Sequence, residues 1–352
     1  LKLLDSRCSL PLSVVIEGGN DVSKKIRGFY ELIMFKSLRS LFRSDNNNPE
    51  ARAASARIDR LVDIADPAIR QARRFHSALV DPVEVAASYC YSMTEQIPGP
   101  LVLDRDTYYN DPSVKPLFAS YDEMQLLLHH HQNTKADLPT GENRKAVALL
   151  TMIQEEKTIF APRQTGDLIE KDVMQKSVNF SDHRLVAVSD SLADAKGWVT
   201  DRGLDVLATY AMEHITQLKT KKAELREKIA YLRGASTIVS GKIRAHGGFG
   251  VPDPALEEKL DTIRTTLASA EKELAETNEL LSYPDDSLKY LIRVLQTAAD
   301  LLTVDHRTFR LDWKNVVVDD SDETGKDTIL AKFSLSDELT RYAVFVTFTP
   351  DT

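Results

Sequence analysis

The chain has 352 residues, with 42% hydrophobic and 28% charged, and a formal net charge of −8. That is the composition of a globular chain long enough for two or three structural units. No apolar run approaches the ~20 residues that a helical membrane span needs, and Leu1 to Leu12 carry no charged-then-apolar signal pattern. Two cysteines, Cys8 and Cys90, stand too far apart for a Cys-x-x-Cys pair. They argue against a disulfide framework or a thiolate zinc site and for a reducing compartment, so a cytoplasmic location is expected.

The charge is uneven. Residues 1–75 hold 14 Lys/Arg against 9 Asp/Glu, so the remainder carries the acid excess. Ser13 to Glu17 reads as a short strand closed by Gly18 and Gly19. Asp21 then caps a helix to about Arg43, apolar through Ile26, Phe29, Ile33 and Leu41 and basic through Lys24, Lys25, Arg27, Lys36 and Arg39. Ser44 to Pro49 is a loop. Helical spacing resumes from Glu50 to about Val80, with a break at Pro67, and a further helix is expected after Asp81-Pro82, running toward Gln96. Ile97-Pro98-Gly99-Pro100 ends it.

Beyond Leu101 to Asp106 a short helix runs through Leu126 to His131, and Asn133 to Glu142 reads as a polar loop. A helix is expected from Arg144 to Phe160, on Ala148, Leu149, Met152 and Ile153. Lys176 to Phe180 reads as extended.

The longest regular pattern follows. Leu218, Lys222, Leu225, Ile229, Leu232, Ser236, Val239 and Ile243 recur at steps of three and four. So do Leu256, Leu260, Ile263, Leu267, Ala270, Leu274, Thr277 and Leu281. Four heptads in each predict two coiled-coil arms, each roughly 40–60 Å long at the helical rise. Ala245 to Pro254 between them, rich in glycine and proline, forbids a continuous helix. The expected object is an antiparallel hairpin with Phe249 at its tip.

Pro284 opens another helix on Leu288, Leu291, Ile292, Leu295 and Leu302. The period then falls to two. Phe309, Leu311 and Trp313, then Ile329 to Leu335, then Tyr342 to Phe348 read as a three-stranded antiparallel meander, with Ser13 to Glu17 a candidate fourth strand.

Three constellations invite chemistry. Val316-Val317-Val318-Asp319-Asp320-Ser321-Asp322-Glu323-Thr324 resembles the first motif of haloacid-dehalogenase-type phosphatases, and the resemblance would make Asp320 the nucleophile and Asp322 the acid/base. Only 27 residues follow Gly325, too few for the doubly wound domain that motif opens, so it reads as an acidic turn. The same residues match early positions of a calcium loop, but Ala331 stands where a bidentate Glu is required. His129-His130-His131 cannot converge on one ion, because neighbours on a helix point about 100° apart. His183, with Glu123 or Asp182 and one of those histidines, would make a two-His, one-carboxylate site if the fold joined them. No phosphate-binding, dinucleotide, nucleophile-elbow or zinc-protease motif occurs.

The sequence therefore predicts a predominantly helical α+β protein. A helical body (1–200) precedes a coiled-coil hairpin (201–283), and a helix with a small antiparallel sheet (284–352) closes the chain. A structural or interaction protein is expected, binding a protein partner or itself through Leu225, Leu232, Leu260, Leu267 and Phe249. No cofactor or resident metal is expected. The alternatives are a metal-dependent hydrolase on His129, His131, Asp182 and His183, and nucleic-acid association through the basic helix 24–43, which the acidic total disfavours.

Overall fold

The computed structural model describes residues 49–134, 145–165, 168–247, 253–319, 322, 325–336 and 339–349. Leu1–Arg57 and Ile58–Thr352 form separate compact units. Of the first, the described part is the opening of helix α1, Pro49–Ala65. The expected strand at Ser13–Glu17 and the basic helix 24–43 lie outside the described residues.

Among the described residues of the second unit the fold is mixed, with helices beside a six-stranded sheet. After α1, Asp66 caps a 3-10 turn, Pro67–Gln71, by accepting from the Ala68 amide. Helix α2 then spans Phe75–Glu95. It starts before Asp81 and runs straight through Pro82, which corrects the expected start at that proline. The ring removes one backbone donor, but Leu79, Val83, Ala86, Cys90 and Met93 all bury on one face, and that burial outweighs the lost bond. Gly99 has φ +109°, and a Cβ there would lie 2.4 Å from the Phe345 carbonyl. Only glycine lets the chain pass so close to that strand, and there Pro98 accepts from the Phe345 amide.

Strand β1, Leu101–Leu103, leads to helix α3, Arg105–Asn110, capped by a reciprocal Asp104–Thr107 box. Helix α4, Tyr121–Thr134, follows. Strands β2, Ala146–Thr165, and β3, Leu168–Ser189, form a long antiparallel hairpin. The helix expected over 144–160 is thus a strand. The reason is burial on both faces. Ala146, Ala148, Leu150 and Met152 face one cluster, with Leu103, Leu117, Phe118, Met124 and Leu128. Val147 and Leu149 face another, with Phe345, Ala195 and Val199. A strand covered on both sides shows a continuous apolar run, which mimics a buried helix.

Helix α5 runs unbroken from Leu192 to Gly247, and α6 from Pro254 to Leu280. Helices α7, Pro284–Gln296, and α8, Ala298–Leu301, lead into β4, Leu302–Leu311, β5, Lys326–Leu335, and β6, Leu339–Phe348. The expected C-terminal meander is present as β4–β5–β6, but it is half of a larger sheet ordered β3-β2-β6-β5-β4, with β1 parallel to the end of β6. Trp313 falls in a turn beyond β4 rather than in the strand, because the Asp312 carboxylate accepts from the amides of Lys314 and Val316 and folds the chain back.

That turn ties the sheet's two edges together. Val318 donates to Arg310 at the end of β4, while Val317 donates to Lys176, and Val178 to Asn315, on β3. Segment 315–318 thus pairs with both outer strands, closing a ring of hydrogen bonds and covering edges that would otherwise recruit another chain. Phe180, Phe309 and Tyr342 meet edge-to-face inside it.

No helix among the described residues is long and apolar enough to cross a membrane.

Candidate functional site

The root of the helix pair is fixed first. Asp66, 6% exposed, accepts from Lys219 at 2.7 Å, from Ser287 at 2.8 Å and from the Ala68 amide at 3.1 Å. Burial alone would push its carboxyl up, but the hydrogen bonds from Lys219, Ser287 and Ala68 outweigh burial and hold the pKa below its ordinary value. One carboxylate therefore joins the turn after α1, the middle of α5 and the start of α7.

Beyond Lys219, α5 and α6 run antiparallel. Lys222 reaches the Leu281 carbonyl at one end, Arg233 meets Glu271 at 2.7 Å further along, and His246 lies near Asp253 at the other. Asp253 caps α6 through the Leu256 amide. On α5 the less exposed positions are Leu218, Lys222, Leu225, Ile229, Leu232, Ser236, Val239 and Ile243, with Ala235 and Ser240 beside them. On α6 they include Leu256, Leu260, Ile263, Leu267, Ala270, Leu274 and Thr277. The positions of the two predicted ladders are among these. Leu225, Ile229, Ala270, Leu267 and Leu274 form a cluster of their own.

Charge matches the pairing. Between Lys219 and Gly247 stand eight Lys/Arg and two Asp/Glu; between Pro254 and Leu280 stand three Lys/Arg and seven Asp/Glu. A hydrogen bond from Lys221 holds the Glu273 carboxyl below its usual range and raises the lysine in turn. Such exposed pairs set register more than they stabilise.

The expected contact residues Leu225, Leu232, Leu260 and Leu267 thus face the seam within the chain. Leu225 and Leu260 are buried there, and Phe249 lies outside the described residues. The opposite face of α5 is open to solvent. Tyr231 is 74% and Ile238 62% exposed. By the 100° helical step they point roughly 150° away from the seam. Gly234 and Gly241 share that face, and a Cβ added to either would touch nothing within 4 Å. Between Ile229 and Gly241 the only charged residue is Arg233, already paired with Glu271. This stripe is not among the features expected from the sequence, although Tyr231, Gly234, Ile238, Gly241 and Ala245 follow the same three-and-four step as the inner one. Its two glycines hid it from a search for apolar side chains.

Of the residues of the alternative reading, the structure brings His183 to Glu123. The His183 ring is buried, with Nε2 2.6 Å from the Leu117 carbonyl and Nδ1 3.2 Å from Glu123 Oε1, and it stacks on Phe118. Both ring nitrogens thus face oxygens of the protein itself, at Leu117 and Glu123. The Asp182 carboxylate is taken by Arg341 and Arg184, whose hydrogen bonds lower its pKa. His129 lies exposed on α4; the side chains of His130 and His131 are outside the described residues. Among the described residues no three His, Cys, Asp or Glu side chains gather to hold a metal ion. Asp320 is likewise outside, and Arg310 holds its neighbours by donating to the carbonyls of Asp319 and Asp322.

No protein-family model, curated protein or solved structure matches the chain.

Proposed function

We propose that this is a cytoplasmic structural or interaction protein that uses the α5–α6 pair as an antiparallel coiled-coil arm to bind a protein partner or itself. The observation that carries the reading is a second apolar stripe, Tyr231 to Ile238, left in solvent on an arm whose first stripe is already spent. An exposed aromatic and a branched aliphatic in a charge-poor belt form the kind of patch that association buries. The grooves beside the pair, one lined by Lys221, Lys272, Glu273 and Glu276 and the other by Arg226, Arg233, Glu271 and Asn278, are open. They suit a broad partner better than an enclosed small molecule.

The test is replacement of residues 220–274 by a short flexible linker in the full chain, which leaves Lys219 with Asp66. The large core cluster of α1, α2, α5 and α7 includes no residue of that segment, so near-ultraviolet circular dichroism and cooperative melting should persist. Association, read by sedimentation and by retention of partners on the immobilised protein, should be lost. A shortened chain that sediments and retains partners like the parent would overturn the reading.

A further inference from the structure

We infer that the stripe on α5 is the docking surface for a second copy of the same stripe, in antiparallel orientation about Ile238; this rests on the interaction-arm reading above. Three observations point to a like partner.

The first is size complementarity. Centred on Ile238, Tyr231 lies seven residues to one side and Ala245 seven to the other. Gly234 lies four to one side and Gly241 three to the other. When two such helices meet head to tail, each Tyr231 ring faces the other copy's Ala245, roughly 10 Å from the axis. Each Gly234 faces the other copy's Gly241, and the two Ile238 side chains meet at the centre. A two-fold contact requires this self-matching of large against small.

The second is glycine usage. Gly234 and Gly241 each weaken an exposed helix interior by about 1 kcal/mol relative to alanine. Within the chain nothing approaches the space their missing Cβ atoms leave open. Close approach of another helix backbone is what such a gap permits.

The third is charge. The distal half of α5 is strongly basic, so two copies repel along most of their length. Like charge opposes contact least from Ile229 to Gly241, where the single charged residue, Arg233, is paired with Glu271 of its own chain. A partner selected by charge would find only that arginine there to read. The contact spans only about two heptads, so the dimer should be concentration-dependent.

The experiment uses the full chain with Cys8→Ser, leaving Cys90 buried. In that background Ile238→Cys should form a disulfide-linked dimer with itself on mild oxidation. Thr265→Cys, on the exposed outer face of α6, should not. Tyr231→Cys should cross-link to Ala245→Cys in a mixture of the two, and much less to itself. Without added cysteines, sedimentation over a concentration series should show a monomer–dimer equilibrium. Ile238→Lys should weaken it about 100-fold, since both copies lose the same side chain. A chain monomeric throughout, or a dimer indifferent to Ile238→Lys, would overturn the inference. If in that case Ile238→Lys still abolishes retention of a different protein, the interaction-arm reading stands with another occupant. If it changes neither, both readings fall.

Discussion

The two halves of α5 have the same backbone and opposite surroundings. From Leu204 to Ile215, the residues Leu204, Leu207, Ala208, Ala211 and Ile215 are at most 1% exposed, and the first four lie among the side chains of α1, α2 and α7. From Leu218 to Ile243 only Leu225, Ile229 and Val239 fall below a tenth, because α6 covers a single side. A helix surrounded on several sides gains most of its stability from packing. One with a single neighbour depends on a narrow stripe, on charge matching and on its anchor at Asp66. The root half should therefore unfold with the body, while the distal half can open by itself.

Mutations along α5 sharpen or break that contrast. Leu207→Ala should cost about 3–4 kcal/mol, the toll of a cavity in a core that cannot collapse, and urea unfolding should show it as one cooperative shift. Asp66→Asn should cost about 2 kcal/mol, by removing the charge-assisted bonds to Lys219 and Ser287. The sign of its pH dependence follows from the lowered native pKa. The wild-type advantage is complete above the ordinary Asp value of about 4 and disappears as pH falls through the native one. Equal losses at pH 7 and at strongly acid pH would break the assignment.

Leu225→Ala should cost about 1–2 kcal/mol, because the seam can close partly around the gap. The loss should appear as faster hydrogen exchange across 219–280, with little change in the global urea midpoint. A full shift of that midpoint would mean that arm and body melt as one. Smallest of all, Tyr231→Lys should change the stability of the monomer by less than about 0.5 kcal/mol, since its side chain already faces water.

The packing of α5 on α6 was legible in the sequence because a three-and-four step survives even where Lys222 and Ser236 occupy it. Period alone did not distinguish the inner stripe from the outer one. Leucines mark the inner stripe, while on the outer face Gly234 and Gly241 interrupt the apolar side chains. Residues 146–152 were misread for a different reason. When a strand is covered on both faces, the alternation that identifies strands is absent, and Ala148, Leu149 and Met152 fit a helix equally well. Pro82 shows local preference yielding to burial. His183 was noticed as a possible ligand, but nothing in its neighbours announces that the Leu117 carbonyl, 66 residues away, and Glu123 take both ring nitrogens.

The unbroken span of α5, 56 residues or roughly 84 Å of helix at the usual rise, makes it a lever. A load applied near Gly247 travels down the rod and meets its fulcrum at Lys219, where the grip of Asp66 and Ser287 resists rotation. Tension on a tethered copy would thus be felt first as torque at that clasp, long before it reached the sheet.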